Sequence, residues 1–322
     1  RQRQMCIRDR LKTTSIVIDK GVKAPAYSSG LFTLDTFDGD AFEVPLRSID
    51  VSNLDVSGVE DASYMFSFCD TLSSIKGLDR WDVSSVKNME GLFYGCSSLT
   101  DLTPLSGWNV SKATSMFDMF LGCSSLTDLS PISGWQVSNV ATMEAMFLGC
   151  SSLSDLTPIA QWDVSRVTEM NLMFLGCRSL TDLTPLARWN VSNAKSMEAM
   201  FQECSGLKDL SGLGGWRVSN VKSMSCMFEY CSELRDLSAI ASWDVSRVES
   251  MSSMFLSCSS LTDITPISGW DVSSLESTRD MFKQCGSLSD ASMLDRRWEV
   301  EWTEGMFEGC AAGIKTPSWY MG

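Results

Sequence analysis

The residues best suited to chemistry are cysteines that recur every 27 positions. They are Cys69, Cys96, Cys123, Cys150, Cys177, Cys204, Cys231, Cys258 and Cys285, and Cys310 follows 25 positions later. A column of thiols could form disulfides or hold a metal ion. No C-x-x-C spacing occurs, and equivalent residues on stacked helices would lie roughly 8–10 Å apart, beyond disulfide reach. We therefore expect each thiol to be a small buried apolar residue, with a disulfide or metal ladder as the alternative.

Aspartates form a second column with the same period. They are Asp101, Asp128, Asp155, Asp182, Asp209, Asp236, Asp263 and Asp290. Like charges in a row repel each other, so each carboxylate needs a favourable partner. One interpretation is that each carboxylate accepts backbone N–H bonds at the turn that follows it. The other interpretation is that the row binds Ca²⁺, a cation that prefers oxygen ligands.

Most residue types that catalysis relies on are missing or unpaired. The 322 residues include no histidine, which excludes Ser-His-Asp and Cys-His catalysis and every zinc site built on imidazole. Neither a phosphate-binding loop nor a dinucleotide-binding glycine motif is present. Carboxylates are abundant, but they repeat along the chain instead of forming one selected pair. The sequence therefore predicts a protein with no enzymatic activity and no cofactor.

The elements that carry these columns can be predicted from one repeat, residues 96–122. Its leucines predict a short buried strand over residues 99–105, leading into one helical turn with Thr103 as N-cap and Pro104 at the first position. A helix predicted over residues 114–122 would place Met116, Met119, Phe120 and the following Cys123 at i, i+3, i+4 and i+7, which is typical of a short amphipathic helix. Such a unit is too small to bury its own apolar face, so consecutive units must stack.

Aromatic residues complete the predicted core. Tryptophans recur in register as Trp81, Trp108, Trp135, Trp162, Trp189, Trp216, Trp243 and Trp270. We predict that a structural ladder runs along the molecule, represented by Trp108, Trp135, Trp162, Phe120, Phe147, Phe174, Cys123, Cys150 and Cys177. Stacked indoles could instead form a sugar-binding platform, but so large an apolar row is better placed in a core.

The chain divides into four predicted segments. Residues 1–10 read RQRQMCIRDR and resemble translated sequencing-adapter sequence. Residues 11–53 lie outside the repeat register, show strand-like alternation at 15–19, and are predicted to be an N-terminal cap or the tail of an upstream region. Residues 54–290 form the repeat solenoid, and residues 291–322 form a degenerate repeat and C-terminal cap.

The repeat resembles a known family. Residues 243–261 read WDVS followed by a run close to V-x-x-M-x-x-M-F-x-G-C-S-S-L, which is similar to the BspA-like leucine-rich-repeat surface proteins and the mycoplasma-type lipoprotein repeat. The resemblance covers about residues 54–310. It implies an α/β solenoid of leucine-rich-repeat type, with about ten strand-turn-helix units, stacked parallel strands on one side and short helices on the other.

The resemblance also implies a function. Such a chain is expected to be a non-enzymatic adhesion or protein-interaction module, extracellular or at the cell surface, that binds extracellular or host proteins, including glycoproteins. A structural spacer or surface-layer element without a specific ligand is the alternative. The formal charge of −14 argues against a nucleic-acid partner. The sequence contains no run of about 18 apolar residues that could span a membrane.

Comparison of the repeats indicates where specificity lies. The residues that differ most between units are Phe117, Glu144, Asn171 and Glu198 in one column and Lys112, Asn139, Arg166 and Asn193 in another. Both columns fall on the outer face of the predicted helix or on the approach to it. We therefore expect specificity on the helix side or the rims, unless the ligand is itself repetitive.

Overall fold

The computed structural model describes residues 14–33 and 46–321, and these form a solenoid of stacked 27-residue coils. Four short strands lie near the N-terminus: β1 (Ser15–Val17), β2 (Val22–Lys23), β3 (Ser48–Asp50) and β4 (Leu54–Asp55). Each later coil carries one 3-10 helix. These helices are η1 (Leu78–Arg80), η2 (Thr103–Leu105), η3 (Ser130–Ile132), η4 (Thr157–Ile159), η5 (Thr184–Arg188), η6 (Ser211–Leu213), η7 (Ser238–Ile240), η8 (Thr265–Ile267) and η9 (Arg296–Trp298).

Parallel backbone pairing joins consecutive coils along the segment that directly precedes each column cysteine. In the coil that ends at Cys123, alternate N–H groups donate to carbonyls of the next coil over 2.7–3.1 Å. The donors are Met116, Asp118, Phe120 and Gly122, and the acceptors are Thr142, Glu144, Met146 and Leu148. Of the intervening N–H groups, those of Met119 and Leu121 donate to carbonyls three residues back in their own coil and close a chain of turns, and that of Phe117 donates to the Ser115 hydroxyl. We call residues 115–123 and their equivalents the turn ladder.

The turn ladder occupies the place of the amphipathic helix predicted over residues 114–122, and that prediction is wrong. Asp118 and Gly122 have φ of 55° and 73°, in the left-handed region that an α-helix of L-residues does not enter. Residues with positive φ recur at the same two places in the other coils. The inward apolar pattern survives because the chained turns bring the same side chains to the core. The described part of the chain contains no α-helix.

The predicted strand over residues 99–105 also differs. The strand is absent, but the predicted helical turn with Pro104 near its start is present as η2, in which Thr103 is the first residue and not the N-cap. The Asp101 carboxylate accepts the Thr103 N–H at 2.9 Å instead. Stacked parallel pairing is therefore real, but it runs along the side that we predicted to be helical, and the side predicted to be a sheet carries the 3-10 helices.

The absence of α-helices from the described residues allows the coils to pack close together. The phenylalanine rings from Phe66 to Phe307 stack with centroids 5.5–5.8 Å apart. Packed helices would hold equivalent residues about 8–10 Å apart. Phenylalanine, methionine, leucine, tryptophan and cysteine columns all lie in one continuous core that runs through every coil.

The N-terminal segment stacks on the first repeat. Strand β1 pairs in parallel with β3, and β2 pairs with β4. Residues 28, 30 and 32 then donate their N–H groups to the next coil over 2.8–2.9 Å, as in the turn ladder. This arrangement extends the core over residues 14–33, as a cap would. Residues 1–10 lie outside the described residues, and the division into four segments stays a prediction.

Aromatic residues lie against the last coil at the C-terminal end. The Trp319 indole N–H donates to the Leu294 carbonyl at 3.1 Å. The Tyr320 ring meets Phe307 edge-on, with centroids 5.0 Å apart. These contacts cover the terminal ring of the phenylalanine column. In residues 14–33 and 46–321, no helix has the length and apolar character needed to cross a membrane.

Candidate interaction surface

All eight aspartates of the predicted row make the same local contact. One carboxylate oxygen accepts the backbone N–H of the residue two positions later at 2.8–3.0 Å. Hydrogen bonds from Ser130, Ser238 and Ser292 lower the pKa of Asp128, Asp236 and Asp290. Each carboxylate thus stabilises the start of a 3-10 helix or turn. No three acidic or thiol side chains of the described residues converge to hold a metal ion, and calcium binding stays a prediction.

We expect Asp155→Ala to lower the free energy of unfolding by about 1 kcal/mol, because the Thr157 N–H loses its acceptor. Asp155→Asn keeps an acceptor oxygen and should cost much less. Chemical denaturation of both variants, with and without Ca²⁺, checks the assignment. A rise in melting temperature with Ca²⁺ that disappears in Asp155→Asn would instead favour the calcium interpretation.

From Cys69 to Cys285 the cysteine column is buried, and its thiols are free. From Cys96 to Cys285 each Sγ lies 3.1–3.3 Å from a phenylalanine carbonyl oxygen of the preceding coil. The 8–10 Å separation that we expected between equivalent residues is wrong, because the coils stack at turn-ladder spacing. What keeps these thiols unreactive is their burial, which raises the pKa of a residue such as Cys150 and disfavours the reactive thiolate.

We expect N-ethylmaleimide to label only Cys226 and Cys310 in the native chain that begins at residue 11. These two are partly exposed, although burial raises their pKa to about 12 and about 11 and slows the reaction. Unfolding in guanidinium should expose all eleven thiols to the reagent. Peptide mass spectrometry distinguishes the two states. Rapid native labelling of Cys150 or Cys177 would contradict the buried position of the column.

The tryptophans offer no open platform. From Trp81 to Trp270 they are only 2–7% exposed. Each indole N–H donates to a carbonyl 30 residues earlier at 2.8–3.3 Å. Where neighbouring indoles stack, their centroids lie 6.2–6.4 Å apart. The structure therefore places Trp108, Trp135 and Trp162 in the core, together with the Phe120, Phe147 and Phe174 column.

The outward side of the turn ladder is the most varied surface. We call it the turn face and define it by the side chains one, two, five and six positions before each column cysteine. In the coil of Cys123 these are Phe117, Asp118, Leu121 and Gly122. Leucines at partly exposed positions continue along the axis as Leu121, Leu148 and Leu175. From Ser63 to Ser257 the turn face contains no lysine or arginine.

Aromatic residues gather at the N-terminal part of this face. The Tyr94 ring lies 5.0 Å from Phe68 and 6.2 Å from Tyr64, centroid to centroid. Phe68 is 39% exposed. The Tyr64 hydroxyl donates to Glu90 Oε1 at 2.9 Å. Aromatic rings that combine partial exposure with a polar group are common where proteins bind partners.

Carboxylates lie beside these rings in an unfavourable setting. Asp118 is only 9% exposed. Burial, and then the charges of Glu90 and Glu144, raise its pKa to about 6. Burial, and then the charge of Glu169, raise the pKa of Glu144. Near neutral pH the turn face therefore carries ionised groups that the fold itself disfavours.

We expect Asp118→Asn to stabilise the protein at pH 7.5 by about 1–3 kcal/mol and to have little effect near pH 4. The pKa of Asp118 is raised on folding, so the folded state holds this proton more tightly. Stability is therefore lost as pH rises from the unfolded pKa to the folded pKa. Asparagine removes the charge and tolerates positive φ. Denaturation curves across this pH range provide the measurement, and a constant difference between the two proteins would contradict it.

Of the two varied columns, Phe117, Glu144, Asn171 and Glu198 lie on the turn face, whereas Lys112, Asn139, Arg166 and Asn193 lie eleven positions before the column cysteines, outside it. That either column carries specificity stays a prediction, and Asp118 was not among the residues predicted from the sequence. One signal was available: in this column the two adjacent coils hold Gly91 and Ala145, and the only other charged residue from Tyr64 onward is Asp280. Asp118 does not share a surface with the other three columns. The eight aspartates stabilise local turns, and the cysteine and tryptophan columns lie in the core.

Taken together, these features define a class: a repeat solenoid with a constant core and one varied face. The sequence model of the family described as "Mycoplasma protein of unknown function, DUF285" matches residues 37–153, 124–213 and 208–319. The chain belongs to this family. The match confirms the predicted resemblance to the mycoplasma-type repeat of BspA-like proteins.

Three solved bacterial structures are similar to the chain at low identity. A leucine-rich repeat protein from Eubacterium ventriosum is 15% identical, with 98% of this chain and 87% of that chain covered and a TM-score of 0.43. One from Bacteroides ovatus is 16% identical, with 86% and 70% covered and a TM-score of 0.36. A leucine rich cell surface protein from Faecalibacterium prausnitzii is 16% identical, with 95% and 88% covered and a TM-score of 0.36. No curated protein matches the sequence.

Proposed function

We propose that this chain is a non-enzymatic protein-interaction module that acts outside the cell or at its surface, in adhesion to extracellular or host proteins. The observation that carries the proposal is the contrast between a constant core and a varied turn face. Side chains that hold the coils together repeat almost unchanged, whereas the positions of Phe117, Glu144, Asn171 and Glu198 differ from coil to coil. Varied side chains on a regular scaffold suit recognition of an irregular protein surface.

Surface chemistry supports a protein partner. The turn face combines partly exposed leucines with aromatic rings, and Tyr230, 46% exposed, continues it toward later coils. Aromatic residues are enriched in protein interfaces, and a few of them supply most of the binding energy. The lack of histidine throughout the chain supports a role without catalysis. The family's likeness to BspA-like surface proteins supports an extracellular location.

A pull-down from extracellular-matrix and mucosal extracts tests the proposal. The chain from residue 11 would be compared with two triple variants. One changes Leu121, Leu148 and Leu175 to serine on the turn face. The matched control changes Thr100, Thr127 and Ser154 to alanine. These three residues form an exposed column outside the turn face, four positions after the column cysteines. Captured proteins are then measured for saturable binding to purified chain.

Loss of saturable binding only in the leucine variant is the expected result. Loss only in the Thr/Ser variant would move the binding surface away from the turn face. A complete absence of saturable partners would overturn the proposal in favour of a structural spacer. Both variants should retain the wild-type melting temperature within a few degrees, because neither changes a fully buried side chain.

A further inference from the structure

The strongest unexplained feature of the turn face is the carboxylate of Asp118. Its residue is 9% exposed. Its backbone N–H and carbonyl take part in the turn ladder, but its side chain forms neither a hydrogen bond nor an ion pair with any described residue. Glu90 and Glu144 lie close enough for their charges to act on it. A nearly buried ionised group without a partner is costly, so such groups normally have a compensating cation.

Another coil shows what that compensation looks like. Asp280 occupies the same place before its column cysteine and has nearly the same φ, 55°. Its carboxylate lies 3.2 Å from Lys283 Nζ and 3.9 Å from Arg279 Nε. In the coil of Asp118 the corresponding positions hold Leu121 and Phe117. The fold thus pairs this aspartate with internal cations in the coil of Asp280, whereas the coil of Asp118 has no lysine or arginine at the corresponding positions.

The surroundings of Asp118 suit an organic cation. The Tyr64 ring lies over Gly91, where an added Cβ would come within 2.2 Å of the ring. Its hydroxyl donates to Glu90, and the Tyr94 ring lies beside it. A cation near aromatic faces gains cation–π energy, and carboxylates in a partly desolvated setting attract it more strongly than they would in water. Since no three acidic or thiol side chains of the described residues form a metal site, a metal ion does not fit as well.

We propose that Asp118, with Glu90, Glu144 and the rings of Tyr64 and Tyr94, receives a lysine or arginine side chain from the partner protein. This inference rests on the proposed function and specifies the chemistry of the partner: a basic segment that lies along the turn face. Apolar side chains of that segment would contact Leu121, Leu148 and Leu175. The absence of lysine and arginine from the turn face between Ser63 and Ser257 makes the charges complementary.

The probe for this test is an N-acetylated, C-amidated octalysine peptide, with octaglutamate as the negative control. Calorimetric titration at pH 7.5 and low salt should show that Asp118→Asn weakens octalysine binding roughly tenfold. Asp128→Asn removes the same charge at an exposed turn and controls for general attraction. Asp280→Asn controls for the same backbone position with an internal cation. Tyr64→Phe should retain binding through its ring, whereas Tyr64→Leu should weaken it.

Carbon-detected NMR adds a readout that a merely structural role would not move: octalysine should lower the pKa of Asp118 and leave the pKa of Asp128 nearly unchanged. Equal losses in Asp118→Asn and Asp128→Asn, or an Asp118 pKa that does not respond to octalysine, would overturn the inference. If protein partners still depend on the three leucines in that case, the proposed function stands and only the cation site fails.

Discussion

Replacing Phe174 with alanine is expected to lower the free energy of unfolding by about 3–5 kcal/mol. Phe174 is fully buried, and its ring stacks between Phe147 and Phe201 with centroids 5.7 and 5.6 Å away. Its carbonyl also accepts the Cys204 thiol at 3.2 Å. Alanine would leave a gap in the middle of the phenylalanine column. The surrounding coils cannot close this gap without disturbing the backbone bonds that fix their spacing.

The loss of stability caused by Phe174→Ala should also be confined to the coils around residue 174. Each coil contacts mainly its two neighbours, so a defect at Phe174 weakens the coupling between the coils on either side. Guanidinium unfolding is expected to change from one transition to two, each with a smaller dependence on denaturant. Phe117→Ala is the matched control, because Phe117 is the same residue type but lies partly exposed on the turn face. It should cost less than about 1 kcal/mol, and an equal cost for the two variants would contradict the described core.

Replacing Gly77 with alanine is the second substitution with a large expected effect, about 2–4 kcal/mol. Gly77 precedes η1 and has φ of 94°, a conformation that disfavours any residue with a Cβ. An alanine Cβ would also lie 2.4 Å from the Ser52 backbone nitrogen and 2.5 Å from its Cα. The new methyl group must therefore push the first 27-residue coil away from the chain between β3 and β4.

Gly107→Ala provides the comparison at a glycine of the next coil, two residues after the end of η2. No atom lies within 4 Å of a Cβ at this position, and its φ is not positive, so alanine should be neutral or stabilising by a few tenths of a kcal/mol. Hydrogen exchange should show that Gly77→Ala accelerates amides of residues 46–80 more than those near η8. If both alanine variants melt at the wild-type temperature, the close approach at Ser52 is not present in solution.

Two parts of the fold differed in how well the sequence predicted them. The repeat and its inward columns follow from the 27-residue period alone, because every coil must bury the same side chains. The local backbone did not follow, since an apolar pattern of i, i+3, i+4 and i+7 is shared by an α-helix and by chained turns. Gly95, Gly122, Gly149 and Gly176 were a usable signal, because glycine recurring just before the cysteine favours positive φ.

The candidate site was harder to predict for a different physical reason. The turn contacts of the aspartate row could be proposed from sequence as one of two interpretations, because each carboxylate bonds within two residues of itself. Asp118 could not be singled out from sequence, because the surroundings of its carboxylate depend on the neighbouring coils. Those coils place Glu90 and Glu144 near it. Only the stacking shows that two acids and no base face this carboxylate. Prediction of a site formed by several coils therefore requires knowledge of how the coils align with one another.

The turn ladder also determines how the molecule responds to mechanical force. Its backbone bonds connect one coil to the next and so point along the length of the solenoid. Tension applied along this direction pulls on one contact between coils at a time and peels them apart in sequence. Each coil that comes free contributes 27 residues, or about 90 Å of extended chain. A molecule of this design is expected to lengthen in steps under load while the remaining coils stay folded.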